Sequence, residues 1–158
     1  MRKIDQLLAE YGESHRNPTN KFIHWICVPL IFWTVVALLW DTIRIDAVTV
    51  PMWGIPLNGA IIALILVMIY YITLSPALSA GMLLYSSACL FIAWKVQSLD
   101  IFPLWGIALI LFTLAWIFQF WGHKIEGKKP SFLKDLQFLL IGPAWLMHFI
   151  YRKAGIPF

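Results

Sequence analysis

This sequence predicts an all-α integral membrane bundle of four transmembrane spans, with an N-terminal interfacial helix and a short re-entrant or fifth helix after the last span. Three observations carry that expectation. Hydrophobic residues make up 61% of the 158 residues and charged residues only 13%, more apolar surface than a soluble domain of this size can bury. Three stretches, Phe22 to Trp40, Ala47 to Trp94 and Ile101 to Trp121, hold no Asp, Glu, Lys or Arg, and about 20 apolar helical residues cross the hydrocarbon core of a bilayer. Trp25, Trp40, Trp53, Trp94, Trp105 and Trp121 fall near the ends of these stretches, where an aromatic belt is expected. The chain reads as a single membrane domain, 1–158.

Residues 1–21 form a polar leader in which Ile4, Leu7, Leu8 and Tyr11 follow helical spacing, so a short helix is expected to lie on the membrane surface. The first apolar run carries no small-residue cleavage site, and the leader is expected to stay attached. Span one is 22–40. Ser75 and Pro76 divide the long uncharged stretch, because proline biases its predecessor away from helix, and the spans fall at 55–74 and 77–95. Span four is 101–121, with Pro103 in its first turn. A basic loop, 122–135, leads to 136–151, which as a helix reaches only about 24 Å. There Gly142 and Pro143 should interrupt the hydrogen-bond ladder. Such a break is tolerated only in protein or beside a cavity, so the segment is expected to enter and turn back, with a tilted fifth span as the alternative. Cys27 and Cys89 lie inside apolar runs and read as packing residues, not as a disulfide framework.

With four crossings, Arg2, Lys3, Arg16, Lys21, Lys124, Lys128, Lys129 and Lys134 share the leader's face, against Arg44 and Lys95 on the other. The positive-inside rule then makes the N-terminus cytoplasmic. Compact form and short loops favour a bacterial inner membrane over the endoplasmic reticulum. The net charge of +4 is concentrated where anionic headgroups lie and fatty carboxylates would arrive, and it needs no nucleic-acid partner.

Four crossings also return His123, just beyond span four, to the face that holds His15 and His24. If 136–151 folds back, His148 joins them. Neutral imidazole suits iron, zinc, copper or nickel, and costly ionisable groups in a membrane region are functional candidates. Taken singly, each has a bland reading: His15 as a solvated residue, His24 and His123 as interfacial anchors. Asn20, one helical turn before His24, is placed to orient that imidazole or to cap the helix. Glu126, three residues after His123, is a candidate ligand, ring-holder or base, unless it simply pairs with Lys124, Lys128 or Lys129. Asp135 suits a helix start, and Cys27 suits core packing better than thiolate ligation.

Two blocks resemble a known family. The first runs Asn20, Phe22-Ile23-His24-Trp25-Ile26-Cys27-Val28-Pro29, preceded by His15; the second runs Gln119-Phe120-Trp121-Gly122-His123-Lys124-Ile125-Glu126 and continues to Asp135 and Gly142-Pro143. Their Asn-x-x-x-His-x-x-x-x-Pro and Gln-x-x-Gly-His-x-x-Glu elements are similar to those of the yeast-type 2-hydroxy fatty acid dioxygenase family of small multispan membrane proteins.

The resemblance implies an iron(II)-dependent dioxygenase that takes a long-chain 2-hydroxy fatty acid and molecular oxygen and releases the acid one carbon shorter, plus carbon dioxide. It also implies His15, His24, His123 and His148 as metal ligands, with Asn20 and Glu126 in catalytic roles. An α-hydroxy acid can chelate iron through its hydroxyl and carboxylate. Lys128 and Lys129 are candidates to attract that carboxylate, although lysines after a span are usually topology determinants. Two other classes fit some features of the pattern. A di-iron fatty acid hydroxylase usually draws on roughly eight clustered imidazoles, against four here. A nonenzymatic lipid-binding or assembly protein explains the spans and the basic face without a metal.

Overall fold

The computed structural model describes residues 2–50, 54–127 and 132–158, with side chains from 137 onward in the last segment. Helices α1 (Lys3–Glu13) and α2 (Pro18–Leu39) are followed by strands β1 (Arg44–Val50) and β2 (Ile55–Asn58). Then come α3 (Gly59–Leu74), α4 (Pro76–Ser98), α5 (Leu104–Glu126) and α6 (Phe132–Ala154). The start of α2, the joint between α3 and α4 and the end of α5 gather at one end of the bundle, where α1 and α6 pack. The hairpin of β1 and β2 occupies the other end, beside Trp40 and Trp94.

Local chemistry sets the helix starts. The Asn17 side chain accepts from the backbone N–H of Thr19 and Asn20 at 2.9 and 3.4 Å, and Pro18 takes the first helical position, where its missing N–H costs nothing. Helix α2 therefore begins before residue 22, and Asn20 lies inside it rather than capping it. Ser75 caps α4 in the same way, its Oγ accepting from Leu78 N at 3.2 Å with Pro76 next in line. The break expected at Ser75 and Pro76 is thus a helix joint.

Three expectations are corrected. Residues 55–58, assigned to a span, form β2, which pairs antiparallel with β1 in the register Arg44↔Asn58, Ile45↔Leu57, Thr49↔Pro56 and Val50↔Ile55. The β-branched residues Ile45, Val48, Thr49, Val50 and Ile55 favour this pairing, but hydropathy alone counts 55–58 with the span that follows. Helix α3 is left with 16 residues, about 24 Å, so among the described residues three helices, α2, α4 and α5, are long and apolar enough to cross a membrane.

Helix α6 does not turn back at Gly142 and Pro143; its 23 residues form one helix. Proline removes a single donor, the one that would serve Leu139 O, and the Tyr71 hydroxyl donates to the adjacent Leu140 O at 2.6 Å. Gly155, with φ +70°, ends the helix, and Ile156 N donates back to Tyr151 O at 2.9 Å, the left-handed stop that glycine permits. Finally, the apolar stripe of α1 does not face lipid. Ile4, Leu7, Leu8 and Tyr11 are buried with Ile141, Ala144 and Trp145 of α6. An amphipathic period names the apolar side of a helix, not what covers it.

Small residues and tyrosines join the helices. A Cβ on Gly81 would lie 2.8 Å from Tyr151 Oη and 2.9 Å from Met147 Sδ, so α4 and α6 approach closely only because it is glycine. Three tyrosine hydroxyls each donate to a carbonyl of another helix: Tyr71 to Leu140, Tyr85 to Pro29 at 2.8 Å and Tyr151 to Ala77 at 2.9 Å. The neighbouring Tyr70 hydroxyl is buried with no hydrogen-bond partner among the described residues. Tyr71→Phe should lower stability by about 1 kcal/mol, seen as a lower Tm in detergent, whereas Tyr70→Phe should leave Tm unchanged or raise it. Equal losses in the two variants would mean that the bond to Leu140 contributes nothing specific.

Candidate metal centre

Three histidines meet where α1, α2 and α5 converge. Ligand atoms of His15, His24 and His123 all lie within 4.8 Å of one another, and the ring centroids of His15–His24, His24–His123 and His15–His123 are 4.2, 4.9 and 5.5 Å apart. His24 sits in the second turn of α2 and His123 in the last turn of α5, and these two helices form the most extensive pair in the bundle. Gly122 lets them close. A Cβ there would fall 2.4 Å from Asn20 Oδ1.

His15 belongs to no regular element, and its position is built by contacts. Glu126, the last residue of α5, accepts from the backbone N–H of Arg16 (Oε1) and Asn17 (Oε2), both at 2.9 Å. Asn20 Nδ2 donates to Glu126 Oε2 and to Ser14 O, both at 3.0 Å. The segment that carries His15 is thereby held between α2 and α5. Gly127, with φ +72°, stops α5 directly after Glu126, in a left-handed conformation that favours glycine. The His15 ring stacks on Tyr11 at 4.2 Å and 9°, and Trp145 lies 5.3 Å away.

The tautomers follow from the partners. His15 Nδ1–H donates to Tyr11 O at 2.6 Å, and His24 Nδ1–H donates to Asn20 O at 2.9 Å. A carbonyl only accepts, so Nδ1 carries the proton in both rings and each Nε2 presents a lone pair. Both Nε2 atoms are buried with no hydrogen-bond partner among the described residues. A buried lone pair without a donor is costly, and a metal ion relieves two such costs at one place. Burial pushes the His15 imidazole down to about 4, with the nearby His123 adding to the effect, so the ring is neutral and able to ligate at physiological pH.

The other sequence candidates distribute differently. Asn20 faces the site from within α2, but its backbone carbonyl holds His24 while its side chain holds Glu126 and the leader. Both oxygens of Glu126 are engaged by the leader, which replaces pairing with Lys124 as its structural role. His148 stands outside the three-histidine group: α6 runs straight on, and His148 Nδ1–H donates to Trp145 O within its own turn. Cys27 is buried beside Ile23, Ile31 and Ala115. Lys128 and Lys129 lie outside the described residues. Tyr11 and Trp145 are additions; the four-residue spacing from Tyr11 to His15 was visible, but nothing in it marks a stack.

Both the Glu126 anchor and the burial of His15 have measurable consequences. Glu126→Ala should weaken metal binding about 10- to 100-fold while the helical content is retained, measured by metal titration and circular dichroism; undiminished affinity would show that the leader needs no anchor. For His15, the folded value of about 4 lies below the ordinary 6.5, so the unfolded chain binds the proton first as pH falls. The metal-free protein should therefore lose stability from about pH 6.5 towards pH 4, and His15→Phe should make the Tm profile flatter over that window.

Comparison with known proteins gives the family. Residues 1–154 match the family described as 2-hydroxy-palmitic acid dioxygenase Mpo1-like. The chain is 29% identical over 153 residues, 95% of its own length and 81% of the relative's, to the 2-hydroxy-palmitic acid dioxygenase MPO1 of Saccharomyces cerevisiae. No solved structure matches it. With the match running through both histidine blocks and all six helices, the chain belongs to the Mpo1-like family.

Proposed function

We propose that this protein is an iron(II)-dependent membrane dioxygenase that shortens long-chain 2-hydroxy fatty acids by one carbon. The observation that carries the reading is the pair of buried Nε2 atoms of His15 and His24, without a partner among the described residues and brought together with His123 in a chain of this family. A single group of three imidazoles suits one ion better than two, which favours a mononuclear centre over the di-iron alternative. His15, His24 and His123 would hold the iron.

The overall reaction balances without a further reductant. R–CHOH–COOH and O₂ become R–COOH, CO₂ and H₂O: the bond between the carboxyl carbon and C2 breaks, C2 is oxidised to a carboxyl group, and dioxygen takes up the four electrons. Iron(II), when bound, would supply a Lewis-acid site for the 2-hydroxy acid and the means of using dioxygen. The protein's own groups prepare that place. The carbonyls of Tyr11 and Asn20 hold two imidazoles in the ligating tautomer. Glu126 and the Asn20 side chain act as positioning residues that keep His15 against α2 and α5. Tyr11 and Trp145 cover the His15 ring and limit water. In this reading the histidine end faces the cytoplasm, where the leader's basic residues favour it, and the substrate arrives from the bilayer.

His24→Ala and His123→Ala should each abolish iron binding and consumption of 2-hydroxyhexadecanoic acid. Iron is measured in protein prepared anaerobically, with about one ion per chain expected for wild type, and product is measured after oxygen is admitted. Full activity in either variant, or an iron-loaded wild type that leaves the hydroxy acid untouched, would refute the assignment.

A further inference from the structure

The His15 ring has a second neighbourhood, away from the other two histidines. A groove of about 380 Å³ runs between α1 and the C-terminal half of α6, and His15 forms a portion of its wall. Its charge is one-sided: Arg16, Lys21 and Arg152 line it, and the one lining carboxylate among the described residues, Asp5, is held by Arg2 at 2.8 Å. These three cations come from the leader, α2 and α6. Sorting lysines and arginines to one side of a membrane does not require them to meet in one concavity that a candidate metal ligand also lines.

The flank of the groove is apolar. Phe149 lines it, with its ring 6.3 Å from that of Trp25, and Phe22, Trp25 and Ile26 are exposed along α2. Lys21 and Trp25 lie one turn apart on the same helix face, about 6 Å along the axis. A cation is thus followed directly by an exposed aromatic. A small soluble anion would use the cations and ignore that aromatic flank; a neutral lipid would do the reverse. A single-chain amphiphile with a terminal carboxylate uses both, because its charge and its chain diverge from one carbon.

We infer that this groove binds the carboxylate of a fatty acid, with Lys21 and Arg152 as counter-ions and the acyl chain leaving across Phe149 and Trp25 into the bilayer. Only the identification of the ligand as a 2-hydroxy acid rests on the dioxygenase reading; charge and shape carry the rest. Lys21 and Arg152 are specificity residues and do not contribute to the histidine cluster.

The test uses full-length protein in nanodiscs, before and after iron loading, at a pH where the acid is ionised. Tryptophan fluorescence is titrated with 2-hydroxyhexadecanoic acid and with its methyl ester, against empty nanodiscs. Wild type should prefer the acid by about tenfold or more, and the preference should fall to about twofold in the Lys21→Gln, Arg152→Gln double variant. The same variant should keep its iron and show a raised KM with little change in kcat, while Arg152→Lys keeps the preference. Equal binding of acid and ester by wild type, an unchanged preference in the double variant, or loss of iron from it would overturn the inference. An acid-selective groove on an iron-loaded protein that does not consume the hydroxy acid would support the groove and defeat the dioxygenase reading, so the two failures are distinct.

Discussion

The carboxylate of Glu126 is the constraint on which the centre depends. It accepts from Arg16 N, Asn17 N and Asn20 Nδ2 at 2.9 to 3.0 Å, joining the end of α5 to the leader and to the first turn of α2. Charged hydrogen bonds of this kind are stronger than neutral ones, and here they replace a regular element. His24 and His123 are placed by helices that would pack against each other in any case. His15 is placed only because its segment is tied on both sides. Gly122 and Gly127 serve the same junction, one by admitting the Asn20 side chain and the other by ending α5 where the carboxylate can turn to the leader.

Away from that end, the bundle is held by devices suited to lipid. Apolar surface gains little from leaving a hydrocarbon solvent, so close contact and backbone hydrogen bonds matter more between helices. Gly81 and Gly142 give α6 room against α4 and α1, and the Tyr71, Tyr85 and Tyr151 hydroxyls donate to carbonyls across helix pairs. Two of these bonds bear on prolines. Tyr71 serves the carbonyl next to the one that Pro143 deprives of a donor, and Tyr85 serves the carbonyl of Pro29 itself. Helices α2 and α6 nonetheless run continuously through Pro29 and Pro143.

The centre and the groove divide recognition from ligation. Carbonyl-held imidazoles with free Nε2 lone pairs suit a metal, whereas Arg16, Lys21 and Arg152 suit an anion. His15 is common to both, since one side of its ring faces the cluster and its surroundings line the groove. Trp145 links them as well, 5.3 Å from His15 and 4.8 Å from Phe149. His148, grouped with the ligands from its residue type, lies instead along the groove wall.

Composition and motif alone determined that the chain is helical and apolar enough for a membrane, that Ser75 and Pro76 separate one helix from the next, and that the blocks around His24 and His123 belong together. Each of these rests on local pattern: length of apolar run, proline chemistry, side chains at helical spacing. Only the tertiary structure decided what those patterns meet. The hairpin of Arg44–Val50 and Ile55–Asn58 takes residues that hydropathy assigns to a span, because pairing between strands is invisible to a window along one strand. The bond from Tyr71 to Leu140 of α6 joins residues distant in the chain, and burial of the α1 stripe depends on α6. The anchoring of His15 by Glu126 crosses about a hundred residues. Such long-range hydrogen bonds leave no periodic trace, which is why histidine identity was readable in the sequence while the division of the four into three that meet and one that stands apart was not.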